Sequence, residues 1–315
     1  MDPLSDVLRA VRLTGGVFLS AHFTAPWCIG VRIEPKDCIP FIGRAAQVID
    51  YHVVVEGDLI LTLPDDPPIK VHAGEVIMFP RNSAHTLGSG PGLSPVSARD
   101  LIQTGPEGQL PRINHGGGGT ATRIFCGFLA SEDHYSPLIL SLPKVLKVDF
   151  RVATEREWIE TSVRYAATKL AEGTLASSSV MTRLSETLLI EAIRQFAATP
   201  GVEHSGWLNG LSDSRIGRAL ALMHQDTTTP WSAERLAIAV AMSRSAFVER
   251  FTTLVGIPPM RYLTAYRLQA AKLNLRETRR PIAELAYSAG YQSEEAFSRA
   301  FKREFGVTPS ACREG

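Results

Sequence analysis

The chain has 315 residues, 44% of them hydrophobic, with 33 Lys and Arg against 32 Asp and Glu for a net charge of +1. That length and composition suit a folded chain of two domains and exclude a disordered, highly charged one. Cys28, Cys38, Cys126 and Cys312 stand apart with no Cys-x-x-Cys pair, so they read as reduced thiols rather than a disulfide framework.

No apolar run approaches the ~20 residues of a bilayer span. The N-terminus, with Asp2 and Asp6, lacks the basic lead into an apolar segment that marks a signal peptide. The expected location is the cytoplasm. The charge is unevenly spread: residues 1–213 carry 18 Lys/Arg and 23 Asp/Glu, a net of −5, whereas 214–315 carry 15 and 9, a net of +6. A basic C-terminal part on an acidic N-terminal part is the balance of a sensing module joined to a polyanion-binding one.

From about Cys28 to Ser131 the pattern is strand-like. Val48–Val55, Leu59–Leu63, Ile69–His72, Val76–Phe79 and Arg123–Leu129 are short β-prone runs, punctuated by Gly57, by Pro64 to Pro68 and by Gly74. Many short strands predict a sandwich or small barrel. Between Gly88 and Thr120 the chain is rich in Gly, Pro and Ser, and is expected to be a mobile excursion. His115 followed by Gly116 to Gly119 has the look of an esterase oxyanion loop, but no Gly-x-Ser-x-Gly exists to supply a nucleophile.

The character then turns helical. Thr154-x-x-Glu157 resembles a capping box before a helix over Trp158–Leu170, and a second helix is expected over Val180–Ala198. Thr199-Pro200-Gly201 ends it, and a linker to about Gly210 follows. The two helices are a candidate dimerisation element, or simply a layer packed on the barrel.

Beyond Arg215 the chain repeats itself at an offset of 50. Ser243, Phe247, Phe251, Gly256 and Pro259 recur as Ser293, Phe297, Phe301, Gly306 and Pro309. A short helix, a turn and a Ser-capped longer helix outline a helix-turn-helix, here twice. Helices are expected over Arg215–His224, Ser232–Val240, Ser243–Val255, Met260–Arg276, Ile282–Ala289 and Ser293–Phe305. Phe247, Phe251, Leu254 and Val255 share one face of the first long helix; Phe297, Phe301 and Phe305 share one face of the second. The opposite faces offer Arg244, Ser245, Glu249, Arg250 and Thr252, and Glu294, Glu295, Ser298, Arg299, Lys302 and Arg303, to double-stranded DNA. Arg pairs with guanine, Glu accepts from cytosine, and Lys suits phosphates.

The run from Ile282 to Pro309, with Met242 to Phe247 and Gly256 to Leu263, closely resembles the signature of the AraC/XylS transcription regulators. The resemblance covers about 214–313. It implies a seven-helix domain whose two recognition helices occupy successive major-groove segments, with Ser245, Glu249, Glu295 and Arg299 at base-contact positions. Two residues depart from the family pattern. Ala241 stands where the first turn commonly has Gly, so it must adopt a left-handed conformation or reshape the turn, and Glu249 stands where Arg is common.

Gly74-x5-Pro80-x4-His85 is similar to the second motif of the cupin barrel, with Asn82 replacing a usual Gly. His52-x3-Glu56 matches the end of the first motif, with Asp50 where a His would stand. The resemblance implies that His52, Glu56 and His85 converge, either on a divalent transition metal with Cys126 as a soft fourth ligand, or as internal hydrogen-bonding residues.

The expected architecture is α+β: a cupin-like effector-binding domain over 1–150, a helical linker over 151–210, and a DNA-binding domain with two helix-turn-helix motifs over 211–315. The expected function is a transcription regulator answering to a small-molecule effector, with promoter DNA, RNA polymerase and a second copy of the chain as partners. A metal-dependent cupin enzyme fused to a DNA-binding unit, or an architectural DNA binder, are the alternatives.

Overall fold

The computed structural model describes residues 13–34, 36–38, 47–104, 111–131, 139, 141–150, 161, 178–199 and 206–314. Among these the chain forms two compact units, 13–199 and 206–314.

In the first unit, strands β1 (Thr14–Thr24), β3 (Gln47–Glu56), β6 (Glu75–Phe79), β9 (Arg112–Gly116), β10 (Ala121–Ser131) and β11 (Leu146–Asp149) make one sheet, in the order β11-β6-β3-β10-β1-β9. A second sheet holds β2 (Cys28–Val31), β4 (Asp58–Thr62), β5 (Ile69–His72), β7 (His85–Gly88) and β8 (Val96–Ser97), in the order β5-β4-β7-β2-β8. Phe23, Trp27, Ile29, Leu61, Phe79 and Leu87 belong to the buried apolar cluster of this unit. Burying such side chains contributes about 1.5–3 kcal/mol each.

Helix α1 (Ser178–Ala198) packs on β1, β10 and β11, burying Leu188, Leu189, Ala192 and Ile193. Two polar contacts fix its register. The Thr182 hydroxyl donates to the Gly15 carbonyl at 2.6 Å, and the Tyr51 hydroxyl meets Ser185 at 2.7 Å. Tyr51 reaches α1 by crossing Gly127, where a Cβ would lie 2.3 Å from its hydroxyl oxygen; only glycine fits there.

Three expectations change in this unit. The strands begin at Thr14, where Gly15 and Gly16 dilute the β signal. The stretch from Gly88 to Thr120 holds β8, a 3-10 turn over Ala98–Leu101 and β9, held by parallel pairing of β8 with β2 and of β9 with β1. Its described part is therefore built into the sheets, because backbone pairing supplies the order that its composition does not suggest. Of the helix expected over 158–170 only residue 161, helical, is described, and its capping box lies outside the described residues.

The second unit is helical: α2 (Trp207–Ser212), α3 (Ser214–Gln225), α4 (Ala233–Ala239), α5 (Arg244–Val255), α6 (Pro259–Glu277), α7 (Ile282–Ser288), α8 (Glu294–Phe305) and α9 (Pro309–Glu314). Ser232, Ser243 and Ser293 each cap a helix, accepting from the backbone N–H three residues on, at 3.1–3.3 Å. Gly256 and Gly306 close α5 and α8 in left-handed conformations. Phe247, Phe251, Phe297 and Phe301 are fully buried, while Leu254 and Phe305 are half-buried. Residues 207–212 are helix rather than linker. Trp207 is buried and donates its indole N–H to the Tyr262 hydroxyl at 2.8 Å, which anchors α2 to this unit.

Candidate functional site

The two helix-turn-helix units are α4–α5 and α7–α8. Each long helix is held by its phenylalanines, and the opposite face is open. On α5, Arg244, Ser245, Glu249 and Arg250 are exposed. Thr252 is half-buried, its hydroxyl donating back to the Val248 carbonyl at 2.7 Å. Arg250 is engaged within the unit: its Nε lies 2.9 Å from Asp213 Oδ2. Asp213 also caps α3, accepting from the N–H groups of Arg215 and Ile216. Burial pulls the Asp213 carboxyl upward, but Arg250 and these N–H groups outweigh it and hold its pKa below the ordinary value.

On α8, Glu294, Glu295, Arg299, Lys302 and Arg303 are exposed and Ser298 is half-buried. The Glu295 carboxyl is held low by its own backbone N–H and the Ser293 hydroxyl at the helix start. Among the described residues no side-chain hydrogen bond or ion pair engages Arg299, Lys302 or Arg303. Helix α8 thus presents cations without an ion pair of their own, the Arg299 charge helping to hold Glu295 low, whereas α5 presents Ser245, Arg244 and Glu249 beside an arginine already committed to Asp213.

Ala241 resolves the alternative left by the first turn. It adopts φ +54°, a left-handed conformation, where its counterpart Gly290 has φ +81°. The turn geometry is retained, and the alanine carries the strain.

In the first unit a cavity of about 1010 Å³ opens between the sheets. Leu19, Ile29, Val31 and Ile113 contribute apolar wall; Asp50, His52, His85 and Cys126 also line it. Arg32, Lys36 and Arg99 add cations to its lining, and Arg99 pairs with Asp37. Asp50 and His52 share a face of β3 at i and i+2, and His85 opens β7 in the other sheet.

The ring nitrogens Nε2 of His52 and His85 are 2.9 Å apart, and Asp50 Oδ2 lies 3.4 Å from the first and 3.9 Å from the second. His85 Nδ1 donates to the Ser83 carbonyl at 2.8 Å, leaving its Nε2 lone pair toward His52. Burial lowers His52, but Cys126 and Asp50 more than reverse this and lift it to about 10. His85 is pushed down to about 4 by burial and by the His52 charge. For Asp50, burial raises the carboxyl, yet the two imidazoles win and lower it. Asp50 Oδ2 is buried without a hydrogen bond.

Glu56 is not in this cluster. The β3–β10 pairing slips between Arg123 and Ile124, and this irregularity carries Glu56 to an exposed strand end where Arg123 binds it at 2.9 Å. Asp50 occupies the third corner, at the position where the motif calls for another His; the motif spacing marked the place, although not the residue type. Cys126 Sγ sits 3.0 Å from Nδ1 of His52, on the far side of the ring from the shared corner. Asn82 takes the left-handed conformation of the glycine it replaces, at φ +50°, and adds contacts a glycine lacks: its side chain donates to the Ile33 carbonyl and accepts from the Ile33 N–H.

Residues 2–198 match the family model described as Cupin, and 236–315 match that described as Helix-turn-helix domain. A putative AraC-like transcription regulator of Streptomyces antibioticus is 30% identical over 100% of this chain and 99% of its own length. The HTH-type transcriptional regulator MtrA of Neisseria gonorrhoeae is 27% identical over 100% of this chain and 98% of its own. Among solved structures, the DNA-binding domain of AdpA in complex with a target DNA is 29% identical, covering 33% of this chain and 92% of that one, with a TM-score of 0.31.

Proposed function

Because the chain belongs to the AraC-like transcription regulators with an N-terminal cupin domain, we propose that it switches promoter occupancy in response to a small molecule bound in the cavity of its first unit. The observation that carries this reading is the pairing of an apolar cavity of about 1010 Å³ with two exposed recognition helices in one chain. In this reading Ser245 and Glu249 on α5, and Arg299 on α8, contact base edges. Arg244, Lys302 and Arg303 hold phosphates, while Glu294, Glu295, Ser298 and Thr252 flank them. Arg250 acts through Asp213, fixing α5 against α3.

Regulation is the whole task in this reading, with no turnover; RNA polymerase and a second copy of the chain are its protein partners, in the cytoplasm. The test is genome-wide mapping of bound sites with and without compounds drawn from the flanking genes' chemistry. Effector-dependent change at discrete sites supports the reading. Occupancy that follows DNA abundance at every locus would replace it with architectural binding.

A second reading is favoured by one geometric fact: Asp50, His52 and His85 place three ligand atoms within 4.8 Å of one another. Tetrahedral ligands about 2.0–2.1 Å from a zinc ion stand roughly 3.3 Å apart, close to the 3.4 Å of Asp50 and His52. The donor set fits a divalent transition metal, which would supply a Lewis-acid pole for an effector's polar group. Ser83 would fix the His85 tautomer and Cys126 would orient His52 from behind. Elemental analysis of the purified chain tests this: about one equivalent, lost in His52→Ala with His85→Ala, supports it. A metal-free chain whose response still depends on both histidines makes them effector contacts.

A further inference from the structure

The long helix α6 belongs to both helix-turn-helix units. Near its start, Tyr262 accepts from Trp207, lies 2.8 Å from His224 Nε2 and packs on Phe251, all in the first half of the unit. Toward its end, Leu268, Ala271 and Leu275 enter the apolar cluster of Leu285, Phe297 and Phe301 in the second half. Arg267 stands between these two sets, and its guanidinium touches both halves.

On one side, Nη2 donates to the Thr229 carbonyl at 2.5 Å, in the loop that leads into α4. That loop is braced from within: Asp226 accepts from the Thr228 and Thr229 hydroxyls at 2.6 and 2.7 Å. On the other side the guanidinium packs against Gly290, in the turn that leads into α8. A Cβ there would stand 2.5 Å from Nη1. The repeats differ at this place. The first turn tolerates Ala241, whereas the second has an arginine where a methyl group would be.

We propose that Arg267 is a positioning residue that sets the separation of α5 and α8, and so the spacing between the two DNA segments the chain reads. The inference rests on α5 and α8 being the helices that enter the DNA. A planar cation wedged between a braced loop and a glycine turn resists sliding of one half on the other. Two linked readers bind cooperatively only when their separation matches that of their sites. Arg267 itself is half-buried, so its effect is exerted through the helices and not on a base.

The experiment uses the full chain. Selection from a randomised duplex pool yields the preferred site, and duplexes are then made one base pair longer or shorter between its two parts, or with either part scrambled. Wild type should lose at least about tenfold on changing the spacing. Arg267→Met should lose less than about threefold, with binding to the half-scrambled duplexes unchanged. Arg267→Lys, which keeps charge and stem but not the planar fork, should fall between them and serves if Arg267→Met folds poorly.

An undiminished spacing preference in both variants would overturn the proposal. So would an equal loss on every duplex, the mark of a phosphate contact. A selected site with one part only would instead remove α5 and α8 as paired readers, and the strut with them.

Discussion

At Ala241 a single methyl group sits in backbone geometry that glycine adopts freely, at φ +54°. Holding an L-residue there costs about 1 kcal/mol, so Ala241→Gly should stabilise the chain by about that amount, offset in part by the greater freedom of the unfolded glycine. Chemical denaturation would show it as a higher midpoint at constant slope; a lower midpoint would mean that the methyl contributes packing that outweighs the strain. Among the exposed residues of α8, Arg299 and Lys302 should separate by behaviour. Arg299→Ala should weaken the selected site by about 1–3 kcal/mol and relax preference at one base pair. Lys302→Ala should weaken all sequences alike and reduce the salt slope by about one. Binding across a library of site variants distinguishes these, and identical profiles for the two would contradict the roles given to them.

At the scale of elements, the phenylalanine ridges hold α5 and α8. Phe251→Ala and Phe301→Ala should each destabilise by about 3–5 kcal/mol, because each ring is fully buried. Unchanged thermal midpoints would remove these rings from the core. The cap of α3 offers a pH test. The Asp213 carboxyl is held below its ordinary value of 3.8, so its charge adds stability above that pH and loses the contribution as pH falls through the lower folded value. Asn also caps helices well, so Asp213→Asn should be less stable than wild type near neutrality, by less than about 1 kcal/mol because the Arg250 end of the pair is open to solvent. The two curves should converge in acid; a difference independent of pH would assign the effect to geometry rather than charge.

These helices are legible in the sequence because their start and stop signals are local: Ser243 and Ser293 cap through their own side chains, and Gly256 and Gly306 end the helices by backbone conformation. β9 and β8 are not legible, since each exists through pairing with a strand far along the chain. The cavity corner falls between these cases. Spacing brings His52 and His85 together, but the irregularity that turns Glu56 away depends on β10, whose register no local pattern of β3 reveals.

Taken whole, the chain divides its labour by charge. The part from residue 214 carries a net of +6 and the rest −5, so DNA affinity should fall with salt while effector affinity need not. No helix among the described residues is long and apolar enough to cross a membrane. The most direct test of the central claim is hydroxyl-radical footprinting of the full chain on its selected site. Two protected segments about one helical turn apart on one face, both weakened by effector or both strengthened, are the predicted result. A single protected segment, or protection indifferent to every compound that binds the cavity, would contradict a ligand-governed regulator that reads DNA through α5 and α8 together.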